Sequence, residues 1–247
     1  MYSVVTEGYK PVLNGTPGFY REKNNKSWFK NTGFGVEAVL KLLEFGRVVE
    51  VEEKDLVAIN PLSVAEHPNT KKKRLCLDQS RYINKEFAMK KKFRIESTEA
   101  FKEVVEKGWY MVCFDLKSAY HHIALNKGYW KYFGFSAEID GRERFFAFVS
   151  LPFTFYDSAR VITKVLKHVI EKWRKESTVC FIHIDDGIAG ASTVGVAKEV
   201  AGKLKDDLSK FVFILSPEKC VWILTQKLVW TGIEWDTAEF NCKIPEE

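Results

Sequence analysis

The chain lacks the features that would carry it into a membrane or out of the cell. No apolar run reaches the roughly 20 residues that a spanning helix needs. The opening MYSVVTEGYK has no apolar signal-peptide core. Cysteine is scarce and scattered. Cys76, Cys113, Cys180, Cys220 and Cys242 form an odd set with no C-x-x-C spacing and no nearby histidine partner, which argues against a zinc site and for free thiols in a reducing compartment. Internal repeats and low-complexity linkers are also missing. These absences lead to the expectation of an intracellular protein, cytoplasmic or nuclear, not secreted and without a membrane partner.

What the chain has is a globular balance. Its 247 residues are 46% apolar and 29% charged, enough core-forming material for one large domain or two modest ones. A net charge of +5 permits a nucleic-acid partner without requiring one. The basic residues are bunched: Lys71, Lys72, Lys73 and Arg74 are consecutive, and Lys90, Lys91, Lys92 and Arg94 cluster again.

The stretch that organises the rest is TVCFIHIDDGIAG, residues 178–190. The apolar run Val179 to Ile184 delivers Asp185 and Asp186; a glycine and a second apolar run follow, which reads as a β-hairpin with the acid pair at its tip. Adjacent carboxylates repel each other and resist leaving water, and a cation such as Mg²⁺ relieves both costs. Taken alone, Asp-Asp-Gly reads as a solvated turn; a site requires a third acid and a polyanion to act on.

Along the chain, residues 1–33 are polar and rich in turn formers, and are expected to be irregular and poorly anchored. Residues 34–45 have helical apolar spacing, closed by Gly46. Two short strands joined by the basic tip are expected across 61–78, and a short helix over 99–107 closed by Gly108. Trp109 to Phe114 is nearly all apolar, suits a buried central strand, and ends on Asp115. Strands are expected at 130–136 and 144–149, hinged at Asp140-Gly141. Val161, Ile162, Val165, Leu166, Val169, Ile170 and Trp173 mark an amphipathic helix over 157–175. A second helix is expected over 192–211, a strand at 212–215, a turn at 216–219 and a strand over 228–235. Strands covered by a few long helices imply an α+β layer architecture. If the strand ending at Asp115 neighbours the acid hairpin, three carboxylates meet at one sheet edge.

FDLKSAYHHIAL, LPFTFYDSARVITKVLK, FIHIDDGIAG, SPEKC and LVWTGIEWD occur in that order, preceded by NPLSVAEHPNTKKKRLCLDQSRYINK. Together they resemble the successive motifs of reverse transcriptases from retroelements, in detail those of the DIRS-like tyrosine-recombinase group, over residues 36–236. The resemblance implies an α+β fold built as the fingers and palm of a right-hand polymerase, the palm an antiparallel sheet backed by helices. It places an irregular extension at 1–33, fingers at 34–108 and 125–150, palm at 109–124 and 151–240 with a primer-supporting hairpin, and a truncated tail at 241–247.

The same resemblance implies template-directed DNA synthesis on a primed RNA or DNA template, with dNTPs as substrates and two Mg²⁺ ions, replaceable by Mn²⁺, about 4 Å apart. Asp115, Asp185, Asp186 and the Leu116 carbonyl would hold the metals. Lys73 and Arg74 would grip the triphosphate, Tyr120 would exclude a ribose 2′-hydroxyl, and Pro152 and Phe153 would shape the nucleotide pocket. Lys219 would protonate the pyrophosphate leaving group, and Trp230, Thr231, Gly232 and Ile233 would support the primer end.

Three departures stand out. Thr154 replaces the usual glycine, and its Cβ would crowd the nucleotide or force a different backbone angle. Phe155, Tyr156 and Asp157 are bulkier than usual, and His183 replaces a common tyrosine. A thumb and an RNase H domain are expected beyond residue 240, so the chain reads as a fragment of a retroelement polyprotein. The competing reading is a catalytically silent nucleic-acid-binding remnant. A general metal-dependent nuclease would share the acids, but the basic loop and Tyr120 favour the polymerase.

Overall fold

The computed structural model describes residues 2–89 and 91–245; Met1, Glu246, Glu247 and Lys90 of the second basic cluster lie outside the described residues. The chain divides into two units, residues 1–92 with 120–159 and residues 93–119 with 160–247. Both mix helices with sheets, so the molecule is α+β.

In the first unit a five-stranded sheet runs in the order Tyr20–Arg21, Ala58–Ile59, Gly134–Ile139, Arg142–Phe148, Val48–Val51. Leu56, Ile59 and Ala147 form a buried cluster there, flanked by Val49, Val51, Trp130 and Phe145. A separate hairpin pairs Leu62–Glu66 with Lys73–Leu77 and carries the basic residues toward its tip, the two short strands expected across 61–78. The expected 130–136 strand begins late. Lys127–Tyr132 is a 3-10 helix, because Asn126 caps it through Gly128 N–H and the Trp130 indole donates back to the Leu125 carbonyl at 2.9 Å.

The first thirty-three residues are not the loose extension their composition suggests. Tyr20–Arg21 joins the sheet in parallel with Ala58–Ile59, and Trp28, in the short helix Lys26–Phe29, is 2% exposed. Farther up the chain, Tyr9 donates its hydroxyl to buried Asp157, and the Val12 carbonyl accepts from the Tyr156 hydroxyl at 2.7 Å. Gly18 accepts from the Tyr82 hydroxyl at 2.8 Å, and the Tyr20 and Tyr82 rings stack at 4.3 Å. Tyr156 and Asp157, two of the bulkier residues at 155–157, are therefore anchors for the N-terminal segment.

The second unit is built on a four-stranded antiparallel sheet, in the order Val221–Thr225, Tyr110–Asp115, Asp186–Ala191, Cys180–His183. The helices Ser158–Lys175 and Val194–Lys210 carry the apolar faces expected of them. The Asp207 carboxylate ties them together, accepting from the Trp173 indole at 2.9 Å and from Lys172 at 2.6 Å. Another core gathers Phe101, Trp109, Met111, Cys113, Phe181, Ile188, Trp230 and Trp235.

Several local expectations fail here for identifiable reasons. The 99–107 helix stops at Lys102. Residues 212–215 form no strand: Val212 adopts φ 60°, and only Leu215 bridges, to Leu116. The 228–235 run is two strands, Lys227–Trp230 and Ile233–Asp236, because Thr231 and Gly232 both take positive φ and close a two-residue turn. The expected tail instead supplies a third strand, Asn241–Lys243.

One half-buried histidine of the first unit sets an acid limit on stability. His121 stacks on Phe148 and its Nδ1 lies 3.1 Å from Ser150 Oγ. Burial, then the charges of Arg47 and His122, push its imidazole down to about 4. A histidine depressed below its ordinary value near 6.5 contributes its stability fully above that value and loses it as pH falls toward 4, by up to about 3 kcal/mol. Denaturant midpoints at pH 7.5 and pH 5.0 should therefore drop more for the unsubstituted protein than for His121→Gln. Equal drops would show that the imidazole is not the group responsible.

Candidate active site

The site in the second unit is built by strand pairing. Asp115 is the last residue of the Tyr110–Asp115 strand and Asp186 the first of the neighbouring Asp186–Ala191 strand, and the register sets them directly opposite each other. Their carboxyl groups lie close enough to shift each other's titration in opposite directions. On the other side of the hairpin Asp186 pairs with His183, leaving Ile184 and Asp185 as a two-residue turn. Asp185 turns its main chain inward, its carbonyl accepting from Leu116 N–H at 2.9 Å.

Two details show how tightly the hairpin is held. Ile184 sits at φ 60°, a left-handed conformation that a β-branched side chain resists at a cost of order 1–3 kcal/mol. Gly187 lies against the Phe114 ring, and a Cβ there would collide with it. Phe114 cannot retreat easily, because it stacks on Trp222 and meets Trp173 edge-on. The glycine that reads as a turn signal in the sequence is thus needed for close packing behind the acid pair.

The electrostatics follow from this crowding. Burial, the neighbouring carboxyl of Asp115 and the charge of Asp185 push the Asp186 carboxyl up to about 7. Burial also acts on Asp115, but hydrogen bonds from Lys219, Ser216 and Asp186 outweigh it and hold that carboxyl below its ordinary range. Lys219 Nζ donates to Asp115 Oδ2 at 2.6 Å, a contact that raises the lysine and keeps it charged. Lys219 comes from the 3-10 turn Pro217–Lys219, which Ser216 fixes by donating its N–H to the Asp115 carbonyl at 2.9 Å. Ser216 is a contributor that sequence reading missed; only the strand geometry brings it to Asp115.

The donor set fits a hard divalent cation. Two carboxylates face each other, a third lies in the adjoining turn, and the Leu116 carbonyl takes no hydrogen bond among the described residues. No group of three or more His, Cys, Asp or Glu side chains among the described residues is arranged to hold a metal as it stands. Instead, the ammonium of Lys219 balances Asp115.

The other residues singled out from the sequence divide between the two units. Trp230, Thr231, Gly232 and Ile233 form the tight turn of the C-terminal hairpin in the second unit, and the Trp230 indole donates to the Asp186 carbonyl at 3.2 Å. That bond brings the hairpin to the acid pair. Lys73, Arg74, Tyr120, Pro152 and Phe153 belong to the first unit. Tyr120 and exposed Phe153 meet edge to face at 5.6 Å beside buried Pro152. Lys73 lies 3.9 Å from Glu66, whereas Arg74 is exposed on the same strand. The Thr154 hydroxyl donates to the Leu77 carbonyl, and its own carbonyl accepts from Asn84 at 2.8 Å. His183 likewise finds a partner, with Nδ1 2.9 Å from the Glu96 carbonyl.

A family model described as Reverse transcriptase (RNA-dependent DNA polymerase) matches residues 53–235, a span that contains every site residue named above. A search of curated proteins found no match.

The packing of acids predicts a conflict between stability and activity. With a chelator present, Asp186→Asn removes a buried like-charge repulsion and should raise the melting temperature by about 2–4 °C for roughly 1 kcal/mol gained. Thermal melts of the two proteins in EDTA check this; a lower melting temperature for the variant would mean that the acid pair is not a cost to the fold.

Proposed function

The chain belongs to the reverse transcriptase family, RNA-directed DNA polymerases and hence nucleotidyltransferases, and from that premise we propose that Asp115, Asp185 and Asp186 are its catalytic acids. The single observation that carries the reading is the direct opposition of Asp115 and Asp186 across one pair of strands, with Asp185 in the adjoining turn. The units correspond in this reading to fingers (mainly the first) and palm (mainly the second).

Asp115, Asp185, Asp186 and the Leu116 carbonyl would hold two Mg²⁺ ions, or Mn²⁺ in their place. When bound, the ions supply activation of the primer 3′-hydroxyl and neutralisation of charge at the phosphate under attack. The chain's own part is positioning and proton handling. The turn of Trp230, Thr231, Gly232 and Ile233 would hold the primer end, and the indole bond to the Asp186 carbonyl supports that role. Lys219 is kept cationic, so its Nζ carries the proton that the pyrophosphate leaving group needs. Lys73 and Arg74 would bind the triphosphate of the incoming nucleotide, a role that suits the exposed guanidinium of Arg74. The Tyr120 ring, braced by Phe153, would exclude a ribose 2′-hydroxyl, while Pro152 fixes the backbone that presents Phe153.

Nothing favours the silent remnant. All three acids are intact, and the family match spans them.

On a primed RNA template with Mg²⁺ and dNTPs, the full chain should extend the primer. Asp115→Asn, Asp185→Asn and Asp186→Asn should each slow incorporation by about a thousandfold or more, the scale of losing a principal electrostatic contributor. Tyr120→Ala should narrow the preference for dNTP over rNTP. Parental rates in all three acid variants would refute the assignment.

A further inference from the structure

The strand that leads into the acid turn, Cys180–His183, is the outer edge of its sheet. An outer edge leaves N–H and C=O groups without a ladder partner, and such an edge is easily displaced. Here two side chains take the place of the missing strand. Ile182 N–H donates to Glu96 Oε2 at 3.0 Å. The Cys180 carbonyl accepts from Arg174 Nη2 at 2.8 Å. Glu96 Oε1 and Arg174 Nη2 are themselves 2.7 Å apart, so acceptor and donor are locked to each other as well as to the strand. The Glu96 carbonyl adds a contact to His183 Nδ1 at 2.9 Å, and the Arg174 guanidinium lies over the Phe181 ring at 5.0 Å.

The location gives this clamp its significance. Two residues beyond Ile182 the chain enters the Ile184–Asp185 turn, where Ile184 is held at φ 60°. A strained turn persists only when its surroundings over-determine it. One side of the entering strand is fixed by its pairing with Asp186–Ala189, and the other side is fixed by Glu96 and Arg174. Arg174 sits in the last turn of the Ser158–Lys175 helix, so the clamp also ties the strand to that helix.

We infer that Glu96 and Arg174 are positioning residues for the acid hairpin: acting as a substitute strand, they hold Ile184 and Asp185 in the turn that presents the carboxylates. The inference rests on the reading of Asp185 and Asp186 as catalytic, and neither Glu96 nor Arg174 would touch substrate.

The test uses the full chain with Glu96→Ala, Glu96→Gln and the double variant Glu96→Ala/Arg174→Ala, and reads amide exchange alongside primer-extension kinetics. In Glu96→Ala the Ile182 amide should exchange at least about tenfold faster while the amides of the Tyr110–Asp115 strand keep their protection. Its kcat should fall about tenfold to a hundredfold with KM for dNTP within about twofold, as misplacement of a reacting group by a fraction of an ångström does. Glu96→Gln retains an acceptor for Ile182 N–H and should recover most of both effects. The double variant should be no worse than Glu96→Ala, because the two side chains act as one unit. A uniform loss of protection across the sheet, with kcat falling only as the folded fraction falls, would make the pair an ordinary stabilising contact and overturn the inference. Faster exchange at Ile182 with unchanged kcat would overturn it too. If the unsubstituted chain extends no primer, it is the reading of the acids that fails, and the exchange at Ile182 still reports on the clamp.

Discussion

The structure turns on a repulsion that it does not avoid. Asp115 and Asp186 occupy opposite positions on adjacent strands, with Asp185 beside them. A fold selected for stability alone would not set carboxylates against each other in a half-buried place. The surrounding elements compensate within the second unit. Lys219 supplies the positive charge, Ser216 fixes the turn that brings it, and the Trp230 indole ties the C-terminal hairpin to the Asp186 main chain. Remove the acids and these arrangements lose their common purpose. Retain them and the site holds uncompensated negative charge, which a hard divalent cation would balance.

The backbone is under the same demand. Ile184 accepts a left-handed conformation in the two-residue turn it forms with Asp185, which leads straight into Asp186, and Gly187 gives up a side chain so that Phe114 can pack behind them. Such local costs are tolerable because both flanks of the hairpin are secured, by the strand ladder on one side and by Glu96 with Arg174 on the other. Stability elsewhere in the unit is ordinary: an aromatic core around Phe101, and two long helices joined through Asp207.

Much of this is legible in the sequence because it is written locally. The apolar run into Asp115, the hairpin around the acid pair and the two long helices each follow from residue type and period within one segment. What escapes is what depends on distant partners. Residues 1–33 look loose because their anchors, Asp157, Tyr156 and Tyr82, lie far along the chain. Residues 130–132 read as the start of a strand because they are rich in aromatics, yet the Asn126 cap and the Trp130 indole bond settle Lys127–Tyr132 as a 3-10 helix. To the residue pattern alone the turn at Thr231-Gly232 is hidden between tryptophans that look like one continuous strand; the hairpin there is implied only by the family resemblance. The Val221–Thr225 edge strand, with Ile223 84% exposed, lacks the buried alternation that would have marked it. In the site itself, the acids and Lys219 stand out by type and order, whereas Ser216 and Glu96 are unremarkable residues until the fold sets them against Asp115 and Ile182.

On the reading proposed above, the opposed carboxylates form a cation site, and Lys219 is their counter-charge when no cation is bound. A titration of the full chain with Mn²⁺, followed by electron paramagnetic resonance of the free ion, tests it directly. Binding should be saturable, should weaken by at least about tenfold in Asp115→Asn and in Asp186→Asn, and should tighten in Lys219→Met, where the competing ammonium is gone. Mn²⁺ binding of equal strength in all four proteins would contradict that reading.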